Sequence, residues 1–123
     1  MPFIHDDALD AALAIISSLT ENLYLTSQEA ITYAEAQTTY KLGTKATPGF
    51  TGPVGGDASG RKITVDAITD GVVDATGTAT HWALCDNSLS KLLAAGPLDS
   101  GQSVTATNTF TLTAFDIEFP DPA

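Results

Sequence analysis

The sequence predicts a mainly β fold with N-terminal helices, an antiparallel β-sandwich of about six to seven strands. Three observations carry this. The stretch 77–86, GTATHWALCD, alternates residue by residue, with Ala79, His81, Ala83 and Cys85 of one parity and Thr80, Trp82 and Leu84 of the other. Further Thr- and Val-rich runs follow one another through 61–119, separated by turn formers such as Asp70-Gly71, Asn87-Ser88 and Ser100-Gly101. Helical spacing of apolar residues is confined to the N-terminal part.

Taken in order, Leu9, Ala12, Leu13 and Ile16 predict an amphipathic helix over 7–18, with Asp6 and Asp7 as N-cap types and acid in the first turn, where the helix dipole favours it. Residues 21–27 read as a strand. Thr32 and Glu35 have the spacing of a capping box, which opens a short helix through Tyr33, Ala34 and Ala36 towards Tyr40, with Gly43 as its C′ residue. Residues 44–60 hold half of the ten glycines, with Pro48 and Pro53, and read as a long loop or arm without regular structure. Such a segment either reaches a neighbouring subunit or lies as a surface loop.

From residue 61 the chain reads as continuous β. Ile63, Val65 and Ala67 alternate with polar residues, Asp70-Gly71 marks a hairpin, and 77–86 is the central strand. Residues 91–95 return as its partner, stopped by Gly96-Pro97. In the last strand, 109–119, the apolar parity slips between Ala114 and Phe115, which predicts a bulge or a crossing from one sheet to the other. The organisation is one domain over 1–123: an N-terminal part at 1–43, the arm at 44–60, the sandwich at 61–119 and an extended tail at 120–123.

A chain of 123 residues buries enough surface for one core without metal or disulfide help. Its net charge is −10 with only five Lys and Arg, which excludes a basic stripe for nucleic acid or an anionic membrane. Any interface of so acidic a subunit is expected to be neutral or apolar. The apolar run 11–16 falls short of the roughly 20 residues of a membrane span. Acid at Asp6, Asp7 and Asp10 stands where a secretory leader would be basic, so synthesis in a cytoplasm is expected.

Little in the sequence has the form of a reactive site. His81 and Cys85 lie roughly 13 Å apart along a strand, too far to share an ion. Asp66, Asp70 and Asp74 lack the dense spacing of a calcium loop. The glycines at 55–60 lack the Gly-Lys-Ser ending of a phosphate loop. The expectation is therefore no catalytic residues, no metal and no cofactor. As the single cysteine, Cys85 has no internal disulfide partner and stands as a candidate for an intermolecular one. Leu9, Leu13, Ile16, Phe50, Val54 and Trp82 are the candidate interface residues. Trp82, Tyr33 and Tyr40 would be exposed if the chain bound sugar through aromatic faces.

The strings LTSQEAITYAEAQTTYKLG (25–43), SGRKITV (59–65), GTATHWALCD (77–86) and LLAAGPLDSGQSVTATNTFTLTAFDIEFPDP (92–122) carry a family resemblance. Together they resemble small structural proteins of tailed bacteriophages, which are associated with the head, neck or tail and include tail-fibre-like members. The resemblance covers roughly residues 7–122. It implies a non-enzymatic virion component that forms a symmetric ring or trimer and contacts portal or neck, capsid or tail proteins. It implies no catalytic residues. Cys85 stands where the related pattern more often has an apolar or aromatic residue, which leaves a covalent link between subunits open. A receptor- or glycan-binding fibre or spike module is the alternative expectation.

Overall fold

The computed structural model describes residues 4–56 and 60–119. Among these, one α-helix, α1 (Asp6–Leu19), precedes nine strands: β1 (Asn22–Thr26), β2 (Lys41–Ala46), β3 (Phe50–Gly55), β4 (Arg61–Val65), β5 (Ile68–Val73), β6 (Gly77–Asp86), β7 (Lys91–Val104), β8 (Thr109–Leu112) and β9 (Phe115–Phe119). A π-helical turn, Glu35–Thr39, lies between β1 and β2. The strands form an antiparallel six-stranded sheet in the order β7-β6-β1-β2-β5-β8 and a three-stranded sheet in the order β3-β4-β9. This is a β-sandwich-like half-barrel with more strands than the turn signals predict.

The large sheet curls until its two edges approach one another. Gln102 Nε2 on β7 donates to the Thr111 carbonyl on β8 at 3.0 Å. The main core fills the concave side, with Leu23, Leu25, Leu42, Ile68, Val73, Leu84 and Phe110 from the large sheet meeting Val65, Phe50, Phe115 and Ile117 from the small one. Trp82 and Phe115 join the two sheets, their ring centroids 4.6 Å apart and tilted by 35°. On the convex side a second cluster of Tyr24, Ala30, Ala36, Ala83 and Cys85 is roofed by Tyr33 and Tyr40.

The helix forms where its periodicity places it and buries Leu9 and Leu13. It lies against β3 and β4, with a lesser contact to β6. His5, and neither Asp6 nor Asp7, is the cap: its Nδ1 accepts from the Asp7 amide at 3.0 Å. Arg61 at the start of β4 ties the helix down through a two-point contact to Asp10, at 2.7 and 3.3 Å. The capping box at Thr32 and Glu35 is made, the hydroxyl accepting from the Glu35 amide and the Glu35 carboxylate from the Ile31 amide.

Five glycine signals carry a different meaning in the fold. The predicted arm contains β3, paired to β4 from Phe50↔Val65 to Gly55↔Arg61. As an outer strand β3 tolerates Pro53, which has no amide hydrogen to donate, and Gly52 at φ +105° sits within the irregularity between Thr51 and Val54. Residues 57–59 of the expected arm and the tail at 120–123 lie outside the described residues.

Gly43 does not end a helix but lies within β2, where a Cβ would come 2.9 Å from the Phe110 ring. Asp70-Gly71 makes no hairpin: β5 runs through it, because the Phe110 ring lies directly over Gly71. Gly96-Pro97 stops nothing either. β7 continues through Gly96-Pro97, and through Ser100-Gly101 where another turn is expected, as one bulged edge strand, with Gly96 making room for the Trp82 ring.

The expected division at residue 61 is likewise absent from the fold. β1 and β2, from the N-terminal part, form the middle of the large sheet. The parity slip after Ala114 marks a crossing, since β8 belongs to the large sheet and β9 to the small one.

Candidate interaction surfaces

The strands decide which predicted interface residues are available for contact. Leu9 and Leu13 are buried beneath α1, and Ile16 and Phe50 pack against the main core. Trp82 is only 8% exposed. A Cβ on Gly96 would meet its ring at 2.7 Å, and Phe115 packs against it from the other sheet. These five work inside the subunit because they are its large apolar residues on inward-facing positions. Of the six candidates, Val54 alone is an exposed large apolar residue, on the outer strand β3.

Cys85 is also interior. It is fully buried beside Tyr24, Ala30, Ala36 and Ala83, and burial pushes its thiol up to about 12. A neutral, enclosed thiol is neither a nucleophile nor accessible to a second subunit's cysteine, so the expected intermolecular disulfide does not fit the folded chain. The alternation through 77–86 is interrupted as well. The β6–β7 register shifts between Ala79 and His81, so Ala79 joins Trp82 and Leu84 in the main core.

The remaining polar candidates are dispersed. His81 Nδ1 lies 2.8 Å from the Thr80 hydroxyl, which donates to the Ser27 carbonyl. Asp66 accepts from Thr51, Asp70 pairs with Lys45, and Asp74 accepts from Thr44, each with its own partner. The Lys45 ammonium holds the Asp70 carboxyl below its ordinary value. Among the described residues no group of three His, Cys, Asp or Glu converges to hold a metal ion, and no helix is long and apolar enough to cross a membrane.

Two surfaces escaped sequence reasoning. One is a shallow pocket of about 230 Å³ at the seam between β7 and β8, floored by Trp82 and Phe115 and rimmed by Asp99, Ser100, Gln102 and Thr111. The two rings pack against each other there, and Trp82 itself is nearly buried. Tyr33 and Tyr40 are half-buried as part of the convex cluster.

The other surface is the outer side of α1. Ala8, Ala11, Ala14, Ile15 and Leu19 are all exposed, with Ile15 at 54% and Ile4, just ahead of the helix, at 43%. Ala8, Ala11, Ile15 and Leu19 widen the apolar stripe of Leu9, Leu13 and Ile16 on one flank of the helix, while Asp7, Asp10, Ser17 and Ser18 form its polar side. The sequence signal was present in Ala8, Ala11, Ile15 and Leu19, but the inward stripe of Leu9, Leu13 and Ile16 is stronger and masks it. Compared with known proteins, the chain is matched by no protein-family model, no curated protein and no solved structure.

Proposed function

We propose that this chain is a non-enzymatic structural component of a tailed-phage virion, attached at the head, neck or collar, or tail through protein–protein contacts. The observation that carries the reading is the outer side of α1. An acidic subunit presents a cluster of Ala, Ile and Leu on the outside of α1, with Ile31, Val72 and Leu89 exposed elsewhere, and an apolar cluster on a charged shell marks a contact with another protein. The ion pairs agree with this. Lys41, Lys45, Arg61 and Lys62 are matched within the subunit by Asp74, Asp70, Asp10 and Asp116, so the outward charge is acidic and keeps free subunits apart until an apolar surface is covered. The resemblance of the strings at 25–43, 59–65, 77–86 and 92–122 to phage structural proteins supplies the setting.

The test is composition. Purified particles from a phage that encodes this chain are analysed by quantitative mass spectrometry and by electron microscopy. The expected result is a fixed copy number per particle that follows a symmetric head, neck or tail feature. Particles that assemble and infect normally while lacking the chain refute the proposal. Saturable binding of host glycan or receptor by the free chain would favour the fibre-module alternative.

A further inference from the structure

We infer that the seam pocket between β7 and β8 receives an arginine side chain of another, basic protein. The large sheet ends at these two strands without pairing them, and Gln102, donating to the Thr111 carbonyl at 3.0 Å, spans the gap at one point. Beside that contact the gap stays open as a cavity of about 230 Å³. A cavity of about 150 Å³ accommodates benzene, so this one has room for a long side chain.

The lining selects the chemistry. Trp82, Leu98, Leu112 and Phe115 give an apolar floor, while Asp99 and Gln102 bring acceptor oxygens to the rim. No Lys or Arg lines the cavity. Asp99 has no hydrogen-bond or ion-pair partner for its side chain among the described residues, whereas Asp10, Asp70, Asp74 and Asp116 are each answered by a Lys or Arg of the same subunit. An unanswered carboxylate above an apolar floor favours an occupant with an apolar stem and a cationic head, and it repels carboxylates and phosphates. Arginine suits the cavity better than lysine. Its guanidinium is planar and weakly hydrated, so it lies against apolar and aromatic surface, and its fork of N–H donors reaches Asp99 together with the side-chain oxygen of Gln102, whose Nε2 is already engaged.

Charge selects the source. The chain carries a net charge of −10, and four of its five Lys and Arg are held in internal pairs. Copies of it repel one another and have little positive charge to offer, whereas a basic neighbour is drawn in. The inference rests on the assembly reading above in naming the chemistry of one contact, but it is decided on the isolated chain.

Trp82 is the single tryptophan and lines the cavity, so its indole N–H resonance reports occupancy. Acetyl-arginine amide titrated into the isotope-labelled chain is expected to give saturable shifts at Trp82, β7 and β8, with a Kd of about 1–10 mM for so small a ligand. Acetyl-citrulline amide, which has the same shape without the charge, is expected to bind about three- to fivefold more weakly. Asp99→Asn is expected to cause the same loss for the arginine compound, and Asp7→Asn, the same change of charge on α1, almost none. Both positions are exposed, so both variants are expected to keep the parent circular dichroism spectrum. Equal binding of the arginine and citrulline compounds, equal losses from Asp7→Asn and Asp99→Asn, or shifts that scatter over the acidic surface without saturating overturn the inference. The citrulline comparison uses the unaltered chain and decides the matter even where a variant fails to fold. Tighter binding of methyl glucoside than of the arginine compound at the same resonances also overturns it, in favour of the fibre-module alternative. The titrations with the arginine and citrulline compounds do not alter whether the chain is found in particles.

Discussion

Gly71→Ala is the most direct probe of how the large sheet is packed. A Cβ built at Gly71 stands 2.2, 2.3 and 2.5 Å from Cζ, Cε1 and Cε2 of Phe110, beneath a ring that is itself 2% exposed. Ordinary carbon contact begins near about 3.5 Å, so the ring must retreat by more than about 1 Å into a filled core. Overpacking of this kind costs about 1–3 kcal/mol, and the short distances place Gly71 in the upper half of that range. The loss of unfolded-chain freedom on replacing glycine gives back about 0.4–1 kcal/mol. A net loss of about 2 kcal/mol lowers the thermal midpoint of a domain this size by roughly 6–10 °C. Gly55→Ala is the control, because a Cβ at that position meets nothing within 4 Å; its midpoint is expected to stay level or rise slightly. Differential scanning calorimetry of both variants, with Phe110→Leu in each background, isolates the ring contact, and the double variant is expected to recover more than about 1 kcal/mol of coupling. A Gly71→Ala midpoint equal to that of Gly55→Ala would show that the Phe110 ring does not lie over Gly71.

Three further outcomes follow from the same geometry. Leu13→Ala is expected to cost about 2–5 kcal/mol in urea unfolding, whereas Ile15→Ala, on the exposed flank of α1, is expected to stay within about 0.5 kcal/mol of the parent; equal losses would mean that the helix is rotated. Native Cys85 is expected to resist aromatic disulfide reagents until the chain unfolds. Its thiol, like the buried Tyr24 hydroxyl, is raised in the fold, so their stabilising contribution is complete below the ordinary value of 9.0 for the thiol and is lost as pH climbs from there towards about 12; a stability curve flat through that window contradicts the burial. Asp70 and Glu21 are shifted the other way, by Lys45 and by Ser88, so their contribution is present above their ordinary values of 3.8 and 4.5 and is lost as pH falls below them. Asp70→Asn and Glu21→Gln are each expected to shallow the acid limb of the unfolding curve, and an unchanged limb would mean that neither contact persists in solution.

The strands were legible wherever a face alternates without interruption. The strand at 77–86 and the slip after Ala114 were visible to period-two reading, although the register shift that turns Ala79 to the main core leaves no local mark, and α1 needed only the spacing of Leu9, Leu13 and Ile16. Glycine was misread, for a physical reason. Gly43, Gly71 and Gly96 have the local look of turns or stops, but each is a place where an aromatic ring from another strand crosses the backbone, and Phe110 and Trp82 are distant in sequence. Local chemistry cannot distinguish a glycine that bends the chain from one that admits a neighbour. The interface candidates failed similarly: a large apolar residue such as Leu13 or Trp82 marks a place that must be covered, and the subunit covers it itself. The seam pocket was invisible because Gln102 and Thr111 meet only when the sheet curls.

The order β7-β6-β1-β2-β5-β8 sets how this chain reaches its native state. β1 cannot gain its second neighbour until β6 is in place, with Asn22 beside Cys85, and β4 waits for β9, with Arg61 beside Phe119. Almost every pairing except that of β6 with β7 and β3 with β4 spans a wide loop whose closure entropy precedes its reward. Refolding is therefore expected in milliseconds to seconds instead of microseconds, and β1 and β2 stay open-edged until the later strands arrive. In a crowded host that interval, more than the finished fold, is when the chain is most vulnerable to mispairing.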